Sequence, residues 1–174
     1  MKDTLSVDHP ACIDRNDLLE EAFRYHYVIT DSRTSLPNLE KRIFNDMAIH
    51  SGNALRQENL IDKSGNHFGV LLGVAVCSTG RTFTAEIAAT FDPKSETAID
   101  DFEDLLVHTT GRFIALVEIQ DRVFLYQDAC GMLGALHNQA NNWISSNVFL
   151  AIEDHLQKND IYFFTEVSKE IPTT

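Results

Sequence analysis

Thiols, imidazoles and one acidic turn are the groups in this sequence that could do chemistry. Cys12, Cys77 and Cys130 are odd in number and far apart. They form neither a disulfide framework nor a C-x-x-C pair, which predicts reduced thiols in a cytoplasmic protein. The seven histidines are equally scattered. No His/Asp/Glu set has ligand spacing, so neither a metal nor a cofactor is expected. His50, His108 and His155 fall near predicted helix ends, where the helix dipole accounts for them. Cys77-Ser-Thr-Gly-Arg81 reads as a turn, because the Walker pattern and its lysine are missing. Asp128-Ala-Cys-Gly131 is the remaining feature, a turn-like cluster closing an otherwise strand-like stretch. Asp128 is expected to accept hydrogen bonds from turn amides, and Gly131 to supply a positive φ or a close backbone approach.

The elements that must hold these groups follow from periodicity. Asp14 is positioned to cap a helix running through about Arg24, with Leu18, Leu19, Ala22 and Phe23 on one face. Tyr25–Thr30 is rich in aromatic and β-branched residues and predicts a strand. After Pro37, Leu39, Ile43 and Met47 recur every four residues beside Phe44, which predicts an amphipathic helix ending near Gly52. His67–Gly80 is almost continuously apolar and suits a strand covered on both faces. Gly69 and Gly73 within it mark bulges or close backbone approach. Thr82–Ala89 reads as a strand, although Ala85–Ala89 is equally compatible with a helix. Thr97-x-x-Asp100 has the form of a capping box opening a helix to about Thr109, with Ile99, Phe102, Leu105 and Leu106 inward.

A hairpin then joins Phe113–Ile119 to Val123–Tyr126 across Gln120-Asp121-Arg122. Asn142–Ser145 predicts a further strand, Asn147 a helix cap through Leu156, and Ile161–Phe164 a last strand. Both alternating sets of the hairpin, Phe113/Ala115/Val117 and Ile114/Leu116, are apolar. A sheet with one wet face has no need of that, so two stacked sheets with helices outside are expected.

Length and composition set the outer bounds. A chain of 174 residues predicts a single domain, 1–174, with residues 1–13 irregular. The formal net charge of −12 argues against nucleic acid or an anionic membrane surface as a partner. No apolar run reaches the roughly 20 residues of a membrane span, and the polar start does not suit a signal peptide.

The ordered set Gly111-Arg-Phe-Ile-Ala-Leu-Val117, Phe124-Leu-Tyr-Gln-Asp128-Ala-Cys-Gly131 and Trp143-Ile-Ser-Ser146-Asn-Val-Phe-Leu-Ala151 resembles the class II glutamine amidotransferase domain. That domain is found in the N-terminal half of asparagine synthetases and related amide ligases. The family pattern runs D-G-x-F-A, a hairpin, R-D-x-x-G, then a strand ending F-A-S-E before a helix. Order and spacing match over roughly residues 110–156. Leu71-Leu72-Gly73-Val74 sits where the family has a strand carrying N-G-E. The resemblance implies an α+β, N-terminal-nucleophile-hydrolase-like fold: a four-layer αββα sandwich of two stacked, mainly antiparallel sheets with outer helices.

The family's glutaminase uses an N-terminal cysteine whose own α-amino group is the base. This sequence starts Met1-Lys2. Leu72 replaces the side-chain donor of the oxyanion hole, Thr110 the acid that holds the substrate's amino group, and Asn147 the acid of F-A-S-E. The R-D pair becomes Gln127-Asp128, and no R-G-P-D-like segment is present. Nor is there an S-G-G-x-D-S motif of the partner ATP-pyrophosphatase domain. The resemblance therefore implies a catalytically silent domain with no catalytic residues, serving as an interaction module for an ATP-dependent, asparagine-synthetase-like amide ligase on another chain. Two alternatives stay open: a hydrolase activated by cleavage before Cys12, and a stand-alone protein binding a different small ligand.

Overall fold

The computed structural model describes residues 15–36, 38–138, 143–147 and 150. Helix α1 (Arg15–Phe23) is followed by strands β1 (Tyr27–Asp31), β2 (Glu40–Phe44), β3 (Met47–Ser51), β4 (Gln57–Ile61) and β5 (His67–Cys77). Helices α2 (Phe83–Thr90) and α3 (Ala98–Val107) come next, then strands β6 (Thr109–Ile119), β7 (Arg122–Gln127), β8 (Leu136–Asn138) and β9 (Trp143–Ser145). The strands form two antiparallel sheets, β2-β3-β1-β9-β8 and β4-β5-β6-β7.

Three apolar interfaces define the layers. Tyr27, Ile29 and Ile49 from the first sheet meet Val70, Leu72, Ile114 and Leu116 from the second. The opposite face of the second sheet, with Leu71, Phe113, Ala115 and Val117, packs on Phe83, Ile87 and Phe102 of α2 and α3. Phe83 stacks on Phe113 at 6.0 Å between ring centroids, and Phe102 meets Phe83 edge-on at 5.8 Å. Val28 and Trp143, on the outer side of the first sheet, pack with Phe23 of α1, Leu36 and Leu150. The protein is thus an α+β sandwich, and the doubly apolar alternation of β6 has the cause expected of it: one face meets helices, the other meets a sheet.

Several local expectations are corrected. Residues 38–52 are not a helix but the hairpin β2–β3. Ile43 is half exposed, while burial falls on Phe44 and the run Ala48–Ser51, so the four-residue spacing of Leu39, Ile43 and Met47 lines no common face. Asn45, at φ +50°, makes the turn that the helical pattern hid. Thr82–Ala89 takes the helical option, with the Thr82 hydroxyl accepting from Ala85 N at 3.3 Å. Thr97 does not form the capping box. Its hydroxyl donates to Asp101 Oδ2 at 2.7 Å instead. His50 lies in a strand rather than at a helix end, whereas His108 does cap α3. Strands β4 and β8 had no expectation attached. Residues 1–14, the helix expected from Asn147 through Leu156 apart from Asn147 and Leu150, His155 and the strand Ile161–Phe164 lie outside the described residues.

His50 alternates with inward Ile49 and sits on the outer side of the first sheet, opposite Val28 and Lys41. Lys41 Nζ donates to the carbonyls of Ser32 and Thr34 at 2.9 and 2.7 Å, tying the loop after β1 to β2. The imidazole is fully buried, and neither nitrogen makes a well-formed hydrogen bond to a described residue. Burial, then the Lys41 charge, lowers its pKa to about 4 against a smaller opposing pull from the Thr34 backbone. A base with a depressed folded pKa costs stability as pH falls from its unfolded value, about 6.5, towards the folded one. Thermal unfolding should lose about 2–3 kcal/mol across that window. A His50→Leu variant should lose less over the same range; equal pH dependence in both proteins would contradict the assignment.

Candidate functional site

The two sheets part at one end. Leu72 and Ile114 are sealed between them, whereas the next residues on the same face of β5 and β6 are open: Val74 is 49% exposed, and Thr110 and Arg112 are exposed. Val74 and Arg112 are register partners, so they mark one position along the strands. The first sheet supplies the facing wall, where β1 begins and β9 ends. Ser146 Oγ accepts from Tyr27 N at 2.9 Å and lies 3.1 Å from His26 Nδ1. Tyr27 runs inward and donates its hydroxyl to the Gly134 carbonyl at 2.9 Å. Gln57 Nε2 donates to Ser51 Oγ at 2.6 Å, joining β4 of one sheet to β3 of the other.

Electrostatics links the two walls. The His26 pKa is lowered first by burial and then by the charge of Arg112 across the opening. Arg112 has no hydrogen bond or ion pair to any described residue.

Gly73 lies at the point where the sheets separate. Its φ is +95°, and a Cβ there would run into the carbonyl oxygen of Arg112 on the neighbouring strand. Its N–H donates to the Arg56 carbonyl at 2.7 Å. The expected close backbone approach is therefore present, and the amide is already engaged.

Asp128 and Gly131 behave as expected. The buried Asp128 carboxylate accepts from the backbone N–H groups of Cys130 and Met132, both at 3.1 Å, and of Leu133 and Phe113, both at 3.3 Å. Burial alone would raise its pKa, but these amides hold it below the ordinary carboxylate value. Gly131 takes φ +60° and donates its N–H to the Asp128 carbonyl. The turn delivers Leu133 into the layer between the sheets. The Asp128 carboxylate thus serves to position the backbone of the turn against β6.

Gly73 and Thr110 lie on the paired strands β5 and β6, Ser146 contacts His26 and Tyr27 on the first sheet, and Leu72 contributes only an apolar side chain to the interior. Gln127 ends β7 on the surface. Cys77 is buried with its Sγ 3.6 Å from Thr109 Oγ1, Cys130 is exposed on the turn, and Cys12 lies outside the described residues. No group of acidic, histidine or cysteine side chains that could hold a metal occurs among the described residues, and no described helix is long and apolar enough to cross a membrane. His26 and Arg112 had no role in the sequence reading. The available signal was Arg112 itself, a charge that interrupts the apolar series Ile114, Leu116 on one face of β6.

No family model, curated protein or solved structure matches this chain.

Proposed function

We propose that this chain is a catalytically silent glutamine-amidotransferase-like domain. It acts as a cytoplasmic interaction module for an ATP-dependent, asparagine-synthetase-like amide ligase carried on another chain. The observation that carries the silence is the Gly73 amide. It stands where a glutaminase of the resembled family needs a free oxyanion donor, and it is bonded to Arg56 instead. Leu72 offers no replacement donor. Strand β1, which begins with the nucleophile in the family, is preceded here by helix α1, whose last residue Phe23 is buried. The sandwich with its G-x-F hairpin and Asp128 turn supports the family reading, because the scaffold features persist where the chemistry does not.

The purified chain should release no ammonia from glutamine above background, and Cys12→Ala should change nothing. Loss of an oxyanion donor alone removes about 10²–10³ in rate, and loss of the nucleophile removes the covalent route. Affinity capture from the native cell should recover an ATP-using ligase. Turnover that vanishes in Cys12→Ala, together with an intact mass for a chain beginning at Cys12, would instead establish the processed hydrolase. A monomer that recovers no ligase would favour a stand-alone ligand-binding protein.

A further inference from the structure

We propose that this chain forms a two-fold homodimer in which β7 pairs antiparallel with β7 of a second copy, Phe124 facing Phe124 across the axis. The second sheet of each copy then becomes half of one continuous sheet. The inference concerns the β7 edge alone and stands whether or not the amidotransferase-like reading does.

The backbone of β7 is ready for a further strand. Ile119 and Arg122 close a two-residue hairpin, which makes them a hydrogen-bonded pair. At the other end Asp128 N donates to the Phe113 carbonyl at 3.1 Å. Alternation between those points turns the N–H and C=O groups of Arg122, Phe124 and Tyr126 towards β6, and those of Val123, Leu125 and Gln127 outward. No other described strand lies beside them. The remaining sheet edges carry the usual safeguards. Strand β2 has Glu40-Lys41-Arg42, β4 has Glu58 and a register shift at Leu60/Ile61, and β8 is three residues long. Strand β7 pairs without a register shift, its stretch Val123-Phe-Leu-Tyr126 is uncharged, and Val123 is 45% exposed.

The side chains select a second copy as the occupant. Opposed residues of an antiparallel pair share a face, so under two-fold symmetry β7 meets itself only with like-facing residues opposite one another. An axis at Phe124 sets Val123 opposite Leu125 of the second copy, and Arg122 opposite Tyr126 of the second copy. Val123 and Leu125, whose outward backbone groups then bond each other, make apolar pairs on the face where Leu125 already packs between the sheets. Phe124 and Tyr126 lie on the helix-facing side, where their rings stack at 6.0 Å and the Arg122 guanidinium covers Phe124 at 5.0 Å. Pairing extends that ladder across the axis. Glu103 of α3 accepts from the Tyr126 hydroxyl at 3.2 Å, so Arg122 of the second copy, arriving opposite Tyr126, meets an acidic partner. Symmetry makes this contact twice, and no like charges are opposed along the strand.

Light scattering or sedimentation equilibrium of the full chain should give twice its 19.6 kDa mass at up to on the order of 100 μM protein. Salt at about 0.15 M screens the net charge of −12, which otherwise opposes any self-association. Val123→Pro should give a monomer with an unchanged circular dichroism spectrum, because it removes an outward N–H and spares the β6–β7 ladder. Arg122→Glu should weaken dimerisation by about 10-fold or more, since an attraction becomes a repulsion at two symmetric places. Adding Glu103→Arg should restore it. A monomeric wild-type chain overturns the proposal and leaves β7 to a different occupant, such as a strand of another protein. A dimer that persists in a folded Val123→Pro variant overturns it, as does unchanged affinity in Arg122→Glu. The charge exchange overturns it if dimerisation stays as weak as in Arg122→Glu alone. Ammonia release and ligase capture report separately on the function proposed above.

Discussion

Gly73→Ala is expected to cost about 4 kcal/mol or more, a large fraction of the 5–15 kcal/mol that holds an ordinary domain together. Two effects add. An L-residue held in the left-handed region costs roughly 1–2 kcal/mol. The new methyl would also meet the Arg112 carbonyl of β6, and β5 and β6 are the two central strands of their sheet, paired over nine consecutive positions from Gly69↔Val117 to Cys77↔Thr109. Neither strand can withdraw without breaking that ladder. Gly65→Ala is the matched control, because Gly65 has a φ of +87° but open space where a Cβ would go. It should show the conformational cost alone. Chemical denaturation of the two variants separates strain from clash, and equal midpoints would mean that β5 and β6 can move apart.

Asp128→Ala should be of similar severity, about 4 kcal/mol or more. The carboxylate satisfies four backbone amides, two of them in fully buried hydrogen bonds, to Phe113 and Leu133. Each buried donor left without an acceptor costs about 1–3 kcal/mol. Asp128→Asn keeps one acceptor oxygen but turns an NH₂ towards two other N–H groups, so it should recover only part of the loss. The pH dependence supplies a second signature. The folded pKa is depressed, so the stabilisation is fully present above the unfolded value, near 4, and disappears as pH falls through the folded one. Melting temperature measured between pH 5 and pH 2 should fall more steeply in the wild type than in Asp128→Ala. Parallel curves would show that the carboxylate is not the group titrating.

The parts of this fold legible in the sequence are those where local and tertiary demands agree. Strands β5 and β6 announced themselves because a strand covered on both faces must be apolar at every position. The Asp128 turn was legible because Asp and Gly each have one dominant use there. Residues 39–51 misled because Leu39, Ile43 and Met47 obey a helical period by coincidence, while the turn signal Asn45-Asp46 is weak and β2 is a charged edge strand, Glu40-Lys41-Arg42. Gln120 and Asp121 show the same limit differently: both adopt positive φ, at +51° and +59°, in a turn that more often uses Asn-Gly. The candidate site was not legible because its members come from residues 26, 74, 112 and 146. Only the pairing of sheets across the sandwich brings those residues together, and no spacing along the chain encodes it.

The pairing of β1 with β9 also has a consequence for how the protein is made. Val28 meets Ser145, 117 positions later in the chain, whereas the second sheet is assembled from strands that follow one another between residues 57 and 127. A chain emerging from the ribosome can therefore complete the second sheet while β1 still has only β3 beside it. Until residue 145 emerges, the far edge of β1 is open and its N-terminal end lacks the Ser146 hydroxyl that binds Tyr27 N. Closing so long a loop adds little entropy cost beyond that of a shorter one, but it sets the order: the first sheet is finished last, by a strand of three residues.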